Sequence, residues 1–202
     1  MSSDSYFTIS FRAEGLCKNK GSRFLAFAHP VASEPEAKIL IDFYRKTYHD
    51  ARHHCFAWVL GDESELTRSS DDGEPSGTAG KPILNQITSR NLTNTLVIVI
   101  RYFGGILLGT GGLIAAYRQA ASNALDNAET VKKYITVEFC LRFPYTEMNT
   151  VMKILKELLA EQSGQVFDTE CRLTARVRKN DGEKLIRAFS PHPGIAIQST
   201  HG

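Results

Sequence analysis

No C-x-x-C pair occurs in this sequence; its four cysteines, Cys17, Cys55, Cys140 and Cys171, stand far apart. That spacing excludes a zinc ribbon and a thioredoxin-like redox motif. No apolar run approaches the roughly 20 residues a membrane-spanning helix needs, so a membrane is not among the expected partners. No secretory leader is expected either, because Met1-Ser-Ser-Asp-Ser5 is polar and has no basic-then-apolar order. The expectation is a reduced, soluble, cytoplasmic protein. A large charge excess is also missing. With 24 Lys and Arg against 22 Asp and Glu the formal net charge is +2, which by itself does not announce nucleic acid. Residues 1–130 hold 13 of the basic and 14 of the acidic residues, leaving 11 and 8 for residues 131–202. The second part is the more basic one.

Glycine, by contrast, is concentrated. In Arg101-Tyr-Phe-Gly-Gly-Ile-Leu-Leu-Gly-Thr-Gly-Gly-Leu113 five glycines follow Leu96-Val-Ile-Val-Ile100, a β-branched run that reads as a buried strand. Behind them Leu113, Ala116, Tyr117, Ala120, Ala121, Ala124 and Leu125 recur at helical spacing. A strand, a glycine loop and a helix N-terminus make a seat for phosphate or carboxylate, with bare amides and a partial positive charge facing the ligand. The named motifs do not fit. Gly104 and Gly109 have the first spacing of a Walker A loop, but Thr110 replaces the lysine and Gly111 the Ser or Thr. Gly109-Thr-Gly111 opens like a dinucleotide fingerprint and lacks its last glycine at Ile114. Tight turns and close helix–strand packing explain the same glycines equally well.

Along the chain, strands are expected at Phe7–Phe11 and Phe24–Ala28, the first ending at Ala13-Glu-Gly15. Lys18, Lys20 and Arg23 between them read as a solvated basic turn or as a grip for an anion. Ser33 is the N-cap of a helix whose buried stripe is Ala37, Leu40, Ile41 and Tyr44. A strand over residues 51–60 puts His53 and Cys55 on one face, with no further ligand at a metal-site spacing.

Ser69-Ser-Asp-Asp-Gly-Glu-Pro-Ser-Gly-Thr-Ala-Gly-Lys-Pro82 is too rich in turn residues for helix or strand. Its carboxylates Asp71, Asp72 and Glu74 are candidates for a Mg²⁺ site, since a hard cation takes oxygen ligands. In the alternative reading Asp-Asp-Gly is a turn, and Thr78 or Gly80 caps a helix over Pro82–Arg90.

From Tyr134 the pattern restarts. Alternation to Phe143, a helix from Met148 stopping at Gly164, strands at Val166–Glu170 and Cys171–Lys179, a short helix through Leu185, and a last strand at Gly194–Gln198 spell βαββαβ, the ferredoxin-like order. On its open face Arg172, Arg176 and Arg178 alternate with inward apolar residues. They form either a phosphate-contacting row or a solvated strand face, and paired aromatics for base stacking are absent.

Three stretches taken together, Ala51-Arg-His-His-Cys-Phe-Ala57, Ser70–Pro82 and Arg101–Tyr117, resemble the IMPACT family, in particular its bacterial YigZ branch. The resemblance implies an α+β chain of two domains. Residues 1–130 would form an α/β sandwich like a ribosomal-protein domain and elongation factor G domain IV, and residues 131–202 a ferredoxin-like domain like domain V of that factor. Eukaryotic relatives regulate translation by competing for an activator of a stress kinase. This sequence lacks their extra N-terminal domain, so what the resemblance carries over is contact with nucleic acid or the ribosome. It offers no agreed catalytic residues.

The expected function is therefore a non-catalytic binder of RNA or the ribosome. Lys81, Arg101, Gly104, Gly105, Gly109, Thr110, Gly111 and Gly112 would take phosphate, and Arg172, Arg176 and Arg178 would extend the surface. A protein-interaction regulator comes second. An enzyme acting on a phosphorylated small molecule with Mg²⁺ on Asp71, Asp72 and Glu74 comes third. No obligatory cofactor is expected, and the sequence leaves the oligomeric state open.

Overall fold

In the computed structural model residues 4–200 are described. The described residues divide into two units, Tyr6–Lys133 and residues 134–200 together with 4–5. The sequence pattern puts this boundary at 130/131. It falls later because Thr130–Tyr134 is a strand paired with the first one.

The first unit runs β1 (Ser5–Ile9), β2 (Ala13–Asn19), β3 (Ser22–Pro30), α1 (Glu34–Thr47), β4 (His53–Leu60), β5 (Leu66–Ser70), α2 (Gly80–Thr88), β6 (Thr95–Tyr102), α3 (Gly109–Asp126) and β7 (Thr130–Tyr134). Five strands form an antiparallel sheet in the order β2-β3-β6-β4-β5, and β1 with β7 makes a separate ribbon. The central strand β6 is covered on both faces, which is why Leu96–Ile100 is a continuous apolar run without alternation. α1 covers Phe27, Phe56, Trp58, Ile98 and Ile100 on one face, and α2 and α3 cover Phe24, Cys55, Val97 and Val99 on the other. Ser33 caps α1 by accepting the Glu36 amide at 3.4 Å, with Glu34 and Glu36 in the first turn and Arg45 and Lys46 in the last. Both ends thus suit the helix dipole.

The second unit runs β8 (Thr136–Pro144), α4 (Met148–Glu157), β9 (Glu161–Val166), β10 (Glu170–Arg178), α5 (Gly182–Phe189) and β11 (Ala196–Ser199), with sheet order β11-β8-β10-β9. This is the ferredoxin-like topology. Phe139, Leu141, Phe143, Leu173 and Val177 pack with Val151, Leu155, Leu185 and Phe189 of the two helices, leaving the other sheet face open.

Two expectations need correction. Ala13–Asn19 is a strand and not a strand end plus turn; its inward positions, Ala13, Gly15 and Cys17, are too small to leave a hydrophobic pattern. α4 stops at Glu157, long before Gly164, because Leu159 itself takes the left-handed conformation (φ 51°). Gly164 then lies within β9, and Phe167–Thr169, expected as strand, is the connection to β10.

His29 on β3 has its Nε2 2.8 Å from the Tyr44 hydroxyl. Burial, helped by Arg12, lowers its pKa from 6.5 to about 4, and burial pushes Tyr44 up to about 12. The neutral imidazole therefore accepts the tyrosine O–H. The unfolded chain takes up this proton near pH 6.5 and the native one only near pH 4. The contribution is full above the unfolded value and lost as pH falls through that window. The urea midpoint should drop between pH 7 and pH 4, and His29→Gln should flatten that part of the profile.

Candidate nucleic-acid interface

β6 delivers the chain at Phe103 into the glycine loop. The Gly104 amide donates to Ser22 Oγ at 3.1 Å, and a Cβ on Gly104 would stand 1.9 Å from the Gly21 carbonyl carbon. Only glycine lets the loop lie backbone to backbone against the β2–β3 turn. α3 starts at Gly109, inside the glycine run. Its N-cap Leu108 offers no side-chain acceptor, and no acidic residue sits in the first turn. The amides of Gly109, Thr110 and Gly111 have no i−4 carbonyl to meet. Those of Gly105–Leu108 make no hydrogen bond among the described residues. A Cβ added at Gly105, Gly109 or Gly111 would touch nothing within 4 Å. A run of backbone donors therefore faces open space at the positive end of a helix.

Beneath the loop lies a buried polar cluster. Arg101, 7% exposed, places Nη1 2.7 Å from Glu74 Oε1, and the Tyr117 hydroxyl donates to the same oxygen at 2.8 Å. The Cys55 thiol reaches Tyr117 Oη at 3.3 Å and the Asp71 carbonyl at 3.0 Å. Phe24 and Phe103 flank the guanidinium at 5.5 and 5.7 Å from their ring centres, and Arg101 Nε has no partner among the described residues. Burial pushes the pKa of both Cys55 and Tyr117 far up, so both keep their protons. A thiol held this way is not a nucleophile.

The three carboxylates of the turn-rich segment point to three different tasks. Asp71 accepts the amides of Gly77, Ala79 and Gly80 at 2.8, 2.9 and 2.8 Å, closing its own loop and capping α2. The expected caps, Thr78 and Gly80, are not the ones used: Thr78 Oγ1 bonds back to the Pro75 carbonyl. Burial raises the Asp71 pKa, but the three donors outweigh it and the net shift is downward. Asp72, at φ 42°, accepts the His54 amide at 2.7 Å and Arg45 at 3.0 Å, while its carbonyl accepts His53 Nδ1–H at 2.8 Å. Glu74 belongs to Arg101. Among the described residues no group of three His, Cys, Asp or Glu side chains is gathered as metal ligands are, and Asp71, Asp72 and Glu74 each meet different partners.

Of the expected phosphate contacts, Gly105, Gly109, Thr110 and Gly111 lie on the open loop, while the Gly112 Cβ position presses on Leu108 at 3.0 Å. Arg101 is buried in its ion pair, and Lys81 is exposed on the first turn of α2. The hairpin brings in what the sequence leaves undecided. Lys18, Lys20 and Arg23 are exposed, and none has a carboxylate in ion-pair reach among the described residues. Lys18 stands opposite Arg23, and Arg23 opposite Tyr102, its guanidinium 5.1 Å from that ring's centre. Sequence reasoning misses Phe103, Ile106 and Leu107, the last of them 83% exposed. Three large apolar residues split by glycines carry no periodicity, and their position just past a buried strand is the only signal.

In the second unit Arg172, Arg176 and Arg178 share the open face of β10. Arg176 Nε lies 2.8 Å from Glu138 Oε1 with Glu161 at 3.6 Å, and Arg178 stacks 3.6 Å over the Tyr134 ring.

The family model of the Impact N-terminal domain matches residues 20–125. IMPACT family member YigZ of Escherichia coli (strain K12) is 38% identical over 153 residues, 75% of this chain and 73% of its own length. An IMPACT family member of Thermus thermophilus is 42% identical over 170 residues, 84% of this chain and 92% of its own. A solved crystal structure described as a hypothetical protein superposes with TM-score 0.74 at 30% identity, covering 98% of this chain and 97% of that one.

Glu74→Ala leaves a buried guanidinium without its counter-charge. The expected loss is about 3–5 kcal/mol in urea unfolding. Arg101→Met combined with Glu74→Gln, which keeps an acceptor for Tyr117, should recover most of it.

Proposed function

The chain belongs to the IMPACT family, and from that premise we propose that it is a non-catalytic protein that binds RNA, alone or in the ribosome, in regulating translation. One observation carries the reading. The open amides of Gly105–Gly111 lie on a loop packed backbone to backbone on a hairpin with three cations, Lys18, Lys20 and Arg23, that no carboxylate among the described residues neutralises. Phosphates attract both kinds of donor, and neither reads sequence. Phe103, exposed at the same strand end, supplies a ring face on which a base can stack. The catalytic alternative asks Asp71, Asp72 or Glu74 to hold Mg²⁺ or act as a base, and each is already engaged by amides or cations.

The exposed Ile106 and Leu107 favour a second reading, a docking loop for another protein. Fluorescence anisotropy with a single-stranded oligoribonucleotide at several salt concentrations separates the two. Under the RNA reading log affinity falls linearly with log salt, and Lys18→Ala with Arg23→Ala lowers the slope by roughly 0.7 for each phosphate no longer neutralised. Absence of salt-sensitive binding in the wild-type chain overturns it. Pull-down that survives nuclease and needs Leu107 would point to the protein partner.

A further inference from the structure

The ladder between β8 and β10 contains a repulsive row. Arg172 lies directly opposite Arg142, and like charges so placed destabilise a sheet. The other arginines of the same ladder are engaged: Arg176 faces Glu138 and bonds it, and Arg178 lies on the Tyr134 ring, while Glu170 stands two residues along from Arg172, opposite Pro144. Neither Arg142 nor Arg172 has a carboxylate in ion-pair reach or a ring beneath it among the described residues. Both are exposed, and both line a cavity of about 350 Å³ with Val166, Asp168, Thr169 and Glu170. Asp168 is occupied by the Thr169 amide at 2.7 Å. On the outer side of the row stand Ala196 and Val166, which bring no charge of their own.

We propose that Arg142 and Arg172 form a clamp for one phosphate group, a site separate from the glycine loop and carried by the second unit alone. Two guanidinium forks on directly opposed positions of adjacent strands can both turn N–H donors to one tetrahedral oxyanion, a task in which arginine surpasses lysine. The anion relieves the repulsion that the bare row sustains. The bound group is either a phosphodiester of an RNA chain or a free phosphate. The first of these rests on the RNA reading above, and the second does not.

The guanidine Nε–H resonances of the ¹⁵N-labelled full chain, identified through Arg142→Gln and Arg172→Gln, test it at constant ionic strength. Both signals shifting with a short oligoribonucleotide but not with inorganic phosphate assigns a phosphodiester site. Both shifting with inorganic phosphate assigns a free-phosphate site, even if the chain binds no RNA. In either case Arg172→Gln should weaken binding at Arg142 about tenfold or more, since a hydrogen bond to a charged group disappears. It should leave the melting temperature unchanged or higher, and Glu170→Gln should tighten binding by removing a neighbouring negative charge. Signals unmoved in both titrations overturn the clamp, whatever the loop and hairpin do with RNA. A lower melting temperature for Arg172→Gln overturns it as well, because it assigns the arginine a structural partner.

Discussion

A positive charge inside the sheet is the constraint on which the first unit depends. Arg101 sits on the strand flanked on both sides by others, where water cannot solvate its guanidinium, and an unpaired charge there is untenable. Glu74 must therefore come in from the turn-rich segment, and Tyr117 must come in from α3 to share the same oxygen. One ion pair thus ties together a strand, an irregular loop and a helix that are distant in sequence. The glycine loop, which joins that strand to that helix, is held at both ends by the consequence. Asp71 then finishes the irregular loop with three amides, a carboxylate doing for a turn what it would do at a helix start.

Much of this is legible in the order of the residues alone. Hydrophobic patterns place the central strand, the helix capped by Ser33 and the ferredoxin-like order, since each is written in side chains that must be buried. Failures come where backbone geometry decides and the residue type does not advertise it. Leu159 in the left-handed region ends a helix with no glycine to signal it, and Ala13, Gly15 and Cys17 build a strand face too small to see. The candidate site divides the same way. Glycine clustering points to the loop, but composition does not separate carboxylates that bind from carboxylates that brace. Asp71, Asp72 and Glu74 look alike in the sequence and differ only in whom they meet.

Under the two proposals the units would meet phosphate by different means. In the first, donors belong to the main chain, and the cations of a hairpin turn supply the field. In the second, alternation along β10 lifts arginines off a well-packed core, and their neighbours decide which of them keep an outward charge. Fold alone would not distinguish these roles, because ferredoxin-like sheets serve many ends. The partnerships of single side chains do.

The ribbon of β1 with β7 has a consequence for how the chain can be cut and rejoined. It brings the beginning and the end of the first unit side by side, so the unit is closed on itself. A module whose entry and exit are neighbours is topologically an insertion. It can be lifted out with a short linker in its place, or its ends fused and new ones opened in an exposed connection, with little change to the sheet within. Evolution has the same freedom to carry this half of the molecule into other architectures.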